Sequence, residues 1–302
     1  VSQDNGAAAE LASLAESWVT WLKSERKSPH TIRTYTTGVT LFLRWCDRED
    51  REPELTRAAV AAFTASLLGA GAEPGTALAR QRGVRRFSAW LAAEHEIERD
   101  ELVGMKPPKQ DDKMPAELTT DQVKAILATC GKTPNHFHDI RDAAIIRLMT
   151  ESMVRSGELL DMTVDDVDIR AGTALVQRGK GGKGRVVPFR AQTAVSLDRY
   201  ARARRKHKFA SSPAFWLGAR GPLGYNALYA TVKRRGQRAG VTVHPHMLRA
   251  TGAIRWREAG GSVPGLLTVA GWSSIEMAAR YVRAAESRLA VDEAHKLDLG
   301  DL

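Results

Sequence analysis

Val243-His-Pro-His246-Met-Leu-Arg249-Ala-Thr-Gly252, continued by Val269-Ala-Gly-Trp272-Ser-Ser274 and Ala278-Ala-Arg-Tyr281, settles how the remainder of the chain is read. The spacing predicts helix, and residues three apart on a helix share a face, so His246 and Arg249 address one target. Together they offer a base and a fixed cation. To break a phosphodiester, protein groups must supply a nucleophile in line with the leaving oxygen, donors for the equatorial oxygens, and proton transfer at both ends. Tyr281 is a candidate nucleophile and Arg249 a candidate donor. Taken singly, each residue has a plainer reading: a His-x-x-Arg pair is usually a solvated helix face, and an isolated Trp or Tyr usually packs a core. A second arginine and an acid upstream would separate the two.

The 302 residues suffice for two domains, each with its own core. Few aromatics and abundant Ala, Arg and Leu suit a mainly α protein. A formal charge of +10 favours an anionic partner. Its distribution says more: the first 110 residues carry 15 basic and 15 acidic side chains, leaving 30 against 20 in the remainder. Cys46 and Cys130 are the only cysteines, too few for a disulfide framework or a Cys-x-x-Cys zinc site. With no apolar run of membrane length and no secretion signal, a soluble, cytoplasmic protein without a membrane partner is expected.

From about Ala7 to Ala93 the pattern predicts four helices. Leu11, Leu14, Trp18, Trp21 and Leu22 make one amphipathic face. Ser28-Pro29 starts the second helix, which carries Ile32, Tyr35, Val39, Phe42, Leu43 and Cys46. A third spans about Thr56 to Leu68. The fourth, about Thr76 to Glu94, sets Arg80, Arg82, Arg85 and Arg86 on or near one side, with Val84, Phe87, Trp90 and Leu91 for packing. That basic side suits phosphates, although charge runs are commonly just solvated. Three prolines among polar residues between Gly104 and Pro115 mark a linker. The division expected is a helical domain over 1–103, a linker over 104–116 and a second domain over 117–302.

The second domain opens on a capping-box pattern, Thr119 with Gln122, and continues with an apolar helix from His138 to about Met149. Arg155 follows, with Glu158 one turn on and able to hold it in a fixed direction. Thr173–Gln177 and Arg185–Phe189 read as two strands of a hairpin whose Gly-rich turn carries Lys180 and Lys183.

In this order and at these separations, Arg155-x-x-Glu158, a hairpin Lys180, His246-x-x-Arg249, Ala270-Gly271-Trp272 and Tyr281 resemble the tyrosine recombinase (phage integrase) family. The resemblance runs through nearly the whole chain: Ser28 to Tyr35 is similar to the opening of the family's core-binding domain, and Pro115 to Val123 to the start of its catalytic domain. Trp272, where many members carry His, brings the tail nearest the Cre-like subset, and the two-domain organisation resembles the Cre-like and Xer-like type. It departs from the family at Ser152-Met153-Val154, where Thr-Gly-Leu is usual, and at Ala250, where His is frequent.

The resemblance implies an all-helical core-binding domain and a mixed α/β catalytic domain with a small β-sheet, closing as a C-shaped clamp on double-stranded DNA. It implies a site-specific recombinase that joins Tyr281 to the 3′-phosphate while a 5′-hydroxyl leaves. Arg155 and Arg249 would hold the non-bridging oxygens, Lys180 protonate the leaving oxygen with Lys183 as its rival, and His246 assist the tyrosine. Trp272 would pack against or hydrogen-bond the phosphate region, and Glu158 would orient its neighbours. No metal or nucleotide cofactor is implied, because the phosphotyrosine conserves the bond energy. Candidate DNA contacts are Lys27, Arg33, Arg80, Arg82, Arg85, Arg86, Lys183 and Arg185. The implied partners are inverted-repeat core sites and, through a C-terminal helix bearing Leu289, Val291 and Ala294, three further copies in a homotetramer. With little chain before Ala7, the simpler type that acts on core sites alone is expected. A type IB topoisomerase or a non-catalytic DNA-binding member of the fold are the alternatives.

Overall fold

Ser28, Thr56, Thr119 and Ser262 each accept a backbone N–H from the first turn of a helix, and these caps set where the helices begin. The computed structural model describes residues 4–109, 115–131, 136–177 and 184–297. The chain divides into two compact units, Val1–Asp112 and Lys113–Leu302.

The first unit is four helices, α1 (Asp4–Ser24), α2 (Pro29–Arg48), α3 (Arg57–Gly69) and α4 (Pro74–Ala93). Trp18, Leu22, Val39, Phe42, Phe63, Phe87 and Leu91 fill its interior. Trp21, expected on the same face, is 37% exposed because the buried stripe runs from Leu14 through Trp18 to Leu22 and passes beside it. Two glycines decide how α2 meets α4. A Cβ on Gly38 would lie 2.5 Å from the Arg80 carbonyl oxygen, and one on Gly83 would lie 2.5 Å from that of Tyr35. The helices therefore cross backbone to backbone. Met105, inside the expected linker, packs against the α2–α3 core, and Arg57 donates to the carbonyls of Glu101 and Val103.

The second unit runs α5 (Thr120–Ala128), α6 (Phe137–Ser152), α7 (Ser156–Leu160), β1 (Val167–Asp168), β2 (Thr173–Val176), β3 (Arg185–Pro188), α8 (Ala191–Arg204), β4 (Leu217–Gly218), β5 (Gly221–Pro222), α9 (Tyr225–Arg238), α10 (Pro245–Glu258), α11 (Val263–Ala270) and α12 (Ile275–Leu297). The strands form an antiparallel sheet in the order β1-β2-β3 and a two-stranded β4-β5 ribbon. Leu175 pairs with Val186 and Val176 with Arg185, so Ala174, Val176 and Val187 face the core. The fold is mainly α with small sheets, as expected.

Central α6 is buried, as its composition predicts, but it also buries charge. Asp142 is fully buried and accepts from Arg141 at 2.7 Å and Arg235 at 2.8 Å; Arg235 also donates to Asp139 and the Thr129 carbonyl. A helix enclosed on all sides has no solvated face, so its ionic groups must pair internally. On α10, a Cβ at Gly252 would lie 2.3 Å from the Thr150 carbonyl oxygen. That close approach brings Arg249 to the C-terminal end of α6.

Candidate active site

Arg155 sits where α6 ends and α7 begins. Met153 caps α6 in the left-handed region, φ 55°, and is wholly buried. This is where the resembled family usually carries glycine, which adopts that conformation without strain. Here a buried methionine takes that conformation. Glu158, one turn into α7, accepts the Arg155 backbone N–H at 2.9 Å and its guanidinium at 2.7 Å. Arg155 Nη2 also donates to the Gly271 carbonyl at 2.9 Å, so both ends of its fork are fixed.

Arg185 corrects an expectation. Placed among the DNA contacts by its position beside a basic turn, its side chain is instead only 9% exposed and makes a two-point ion pair with Glu158, at 3.0 and 2.7 Å. Its Nε donates to the Val269 carbonyl at 2.9 Å. Residue 185 points inward because β3 alternates, and the partner it meets there is the carboxylate of Glu158. Burial would raise the Glu158 pKa, but the hydrogen bonds from Arg185 and from the Arg155 backbone and side chain outweigh it and hold the carboxyl at about 2.

Arg249 is 2% exposed, with Nη1 on the Met153 carbonyl and Nη2 on that of Ala270 at 2.6 Å. Burial and the neighbouring Arg155 cation lower its pKa, yet a guanidinium stays charged. Both arginines are thus oriented through backbone carbonyls and keep further N–H groups for another acceptor. Gly271 ends α11 in the left-handed conformation, φ 64°, and turns the chain into Trp272, whose N–H returns to the Leu267 carbonyl. The Arg249 guanidinium lies 5.1 Å from the Trp272 ring centroid.

Tyr281 comes from the first turns of α12 and is 1% exposed. Its ring stacks on Trp272, and its Oη lies 3.2 Å from His246 Nε2. Partial desolvation of the imidazole, followed by repulsion from Arg280, Arg249, His244 and Arg155, lowers the His246 pKa. Its neutral form, able to accept a phenolic proton, is favoured. Arg280, which the sequence reading passed over, donates to Tyr281 Oη at 2.9 Å and covers the ring at 4.9 Å. Its only sequence signal is adjacency to the tyrosine.

Arg155, Glu158, His246, Arg249, Trp272 and Tyr281 therefore converge from four separated stretches on one cluster. Lys180 and Lys183 lie outside the described residues. In the first unit, Arg33, Arg82 and Arg86 are exposed, Arg80 and Arg85 are half-buried with unpartnered Nε atoms, and exposed Lys27 pairs with Glu25 at 3.3 Å. Among the described residues no group of three or more His, Cys, Asp or Glu could hold a metal ion, and no helix is long and apolar enough to cross a membrane.

The profile of the Phage integrase family matches residues 116–288, and that of its N-terminal SAM-like domain residues 15–95. The tyrosine recombinase XerA of Thermococcus kodakarensis is 29% identical over 288 residues, covering 91% of this chain and 92% of the relative. XerC of Pseudomonas savastanoi pv. phaseolicola is 30% identical over 281 residues, covering 91% and 93%. The fold is similar to that of XerH recombinase bound to palindromic difH substrate, with a TM-score of 0.75 at 19% identity over 95% of this chain and 84% of the other. A lambda integrase dimer bound to a COC′ core site gives 0.69 at 17% over 90% and 76%.

Proposed function

The chain belongs to the Phage integrase family, the tyrosine recombinases, and on that premise we propose that its second unit cleaves and rejoins DNA through Tyr281. The protein is a site-specific DNA recombinase. One observation carries the assignment of residues: Tyr281 Oη sits against His246, on Trp272, beside an arginine pair held by backbone carbonyls.

In the proposed reaction Tyr281 Oη attacks the scissile phosphorus and its proton passes to His246 Nε2. The new P–O bond to tyrosine forms as the P–O5′ bond breaks. Arg155 and Arg249 neutralise the non-bridging oxygens, where preorganised donors contribute most. Lys180, or Lys183 in its place, protonates the departing 5′-oxygen. Trp272 holds the phenol and the Arg249 guanidinium in register, and Glu158 fixes Arg155. Energy stored in the phosphotyrosine drives rejoining, so this scheme calls for no cofactor.

The first unit, through exposed Arg33, Arg82 and Arg86 with Lys27, Arg80 and Arg85, would grip the DNA backbone. Four copies on two inverted-repeat core sites would form the working assembly. Leu289, Val291 and Leu297 lie exposed near the end of α12, an apolar set suited to docking on a neighbouring copy. Action in the cytoplasm fits this reading.

The test is a pool of nicked duplexes with randomised cores, which lose a short 5′-hydroxyl fragment on cleavage and trap any covalent adduct. Adducts that share an inverted repeat and vanish in Tyr281→Phe are expected. Adducts without sequence preference would favour a type IB topoisomerase, and DNA binding without any adduct a non-catalytic member of the fold.

A further inference from the structure

Arg185 joins three separate parts of the cluster and touches none of the atoms assigned to react. From β3 it reaches α7, where its fork closes on both oxygens of Glu158 at 3.0 and 2.7 Å. Glu158 Oε1 is shared: the same oxygen accepts Arg155 Nη1 at 2.7 Å. From its third nitrogen Arg185 reaches the last turn of α11, at the Val269 carbonyl. Two residues on, Gly271 supplies the carbonyl that holds Arg155 Nη2, and a Cβ on Gly271 would lie 2.7 Å from Arg185 Cζ. The guanidinium therefore packs flat beneath the turn that leads into Trp272.

We propose that Arg185 is a positioning residue for phosphodiester cleavage, which sets the direction of the Arg155 guanidinium through the shared Glu158 carboxylate and the Gly271 turn. The inference rests on the recombinase reading of the site. Of the two groups that orient the Arg155 side chain, Arg185 bonds Glu158 Oε1 directly and lies against the Gly271 turn, which it reaches through the Val269 carbonyl. Without Arg185 the Glu158 carboxylate would be held by Arg155 alone, through its backbone N–H and Nη1, and nothing from β3 would fix where that pair points. Lysine would keep the charge and lose the fork, so it cannot hold Glu158 and Val269 together. Arg185 also opens β3, so its ion pair ties that strand to the same carboxylate.

The test compares wild type, Arg185→Gln and Arg185→Lys as full chains on the nicked duplex recovered from the randomised pool. One version carries the ordinary scissile phosphate and the other a methylphosphonate, which lacks the anionic non-bridging oxygen that Arg155 is assigned to neutralise. With phosphate, adduct formation by Arg185→Gln should slow about 100-fold and by Arg185→Lys about 10-fold, as for a misplacement of a catalytic group by about an ångström. With methylphosphonate the deficit should shrink to within about threefold, because the oriented cation is then less needed. DNA affinity should stay at the wild-type level at every salt concentration. Equal losses on the two substrates would reduce Arg185 to a structural strut and overturn the proposal. So would a variant that cleaves normally, or one whose defect is weaker DNA binding with a shallower salt dependence, the mark of a phosphate contact. A wild type that forms no Tyr281-dependent adduct would remove the recombinase reading itself.

Discussion

The rings of Tyr281 and Trp272 lie nearly parallel, centroids 4.9 Å apart with 12° between their planes, and the same indole carries the Arg249 guanidinium. The candidate nucleophile and one candidate phosphate-binding cation thus both rest on a single side chain. An aromatic pair of this kind contributes about 0.5–1.5 kcal/mol beyond its buried area. Trp272→Ala should leave DNA binding near wild type and slow single-turnover adduct formation by about 10- to 100-fold, the cost of a loosened attack geometry. Trp272→Phe should recover part of the rate, since it restores a ring to stack on. A Trp272→Ala enzyme with an unchanged adduct rate would show that Tyr281 is positioned by α12 alone.

As the proposed base, His246 would give the reaction a readable pH dependence. Its pKa lies below the ordinary 6.5, with desolvation the largest cause and Arg280 the next. The neutral base is therefore present at pH 7, and adduct formation should fall only as pH drops through the lowered value. His246→Gln should lose that limb, and Arg280→Gln should move it upward toward 6.5, because one repelling cation is gone. Stability follows the same sign: the unfolded chain protonates His246 at higher pH than the folded one, so this residue makes stability rise with pH across the window between the two values. A limb that stays in place in His246→Gln would assign it to another group.

Asp142 is the centre of a buried network that helps to hold α6 to α9. Removing it leaves Arg141 and Arg235, themselves 3% and 1% exposed, without their shared carboxylate. Arg235 keeps Asp139, but Arg141 is left buried without the carboxylate it pairs with, and breaking a buried pair in this way costs about 3–5 kcal/mol. Asp142→Ala should therefore lower the urea midpoint of the second unit by that equivalent, whereas exposed Asp198, paired with Arg202 at 3.0 Å on α8, should shift it by less than about 1 kcal/mol when replaced. Matching shifts from the two substitutions would mean that the Asp142 network relaxes to admit water.

Much of this was legible in the chain. Ser28 and the Thr119–Gln122 box marked helix starts because capping is local chemistry, and Arg155, His246, Arg249, Trp272 and Tyr281 carried fixed spacing and order. Arg185 was misplaced for a physical reason: strand alternation says that a side chain points inward but not which carboxylate it meets there. The Arg141–Asp142–Arg235 network was invisible because its members lie 93 residues apart in part, and nothing in either segment names the other. Met153 shows a third limit, since a left-handed cap is read from glycine and here a buried methionine occupies it.

The glycines of the first unit give a prediction with opposite signs at two sites. Ala has the better helix propensity by about 1 kcal/mol, so Gly→Ala stabilises a helix wherever the added methyl group has room. Gly69, at the end of α3, has nothing within 4 Å of an added Cβ, and Gly69→Ala should stabilise by up to about 1 kcal/mol. At Gly83 the methyl group would sit 2.5 Å from the Tyr35 carbonyl oxygen and 3.2 Å from its Cα, backbone atoms that cannot rotate aside. Helices α2 and α4 would have to part, loosening the buried contacts of Phe42, Val84 and Phe87. Overpacking of this sort costs about 1–3 kcal/mol, enough to reverse the propensity gain, so Gly83→Ala should destabilise the first unit in thermal or urea unfolding. Two shifts in the same direction would mean that this crossing is not what fixes the packing of α2 on α4.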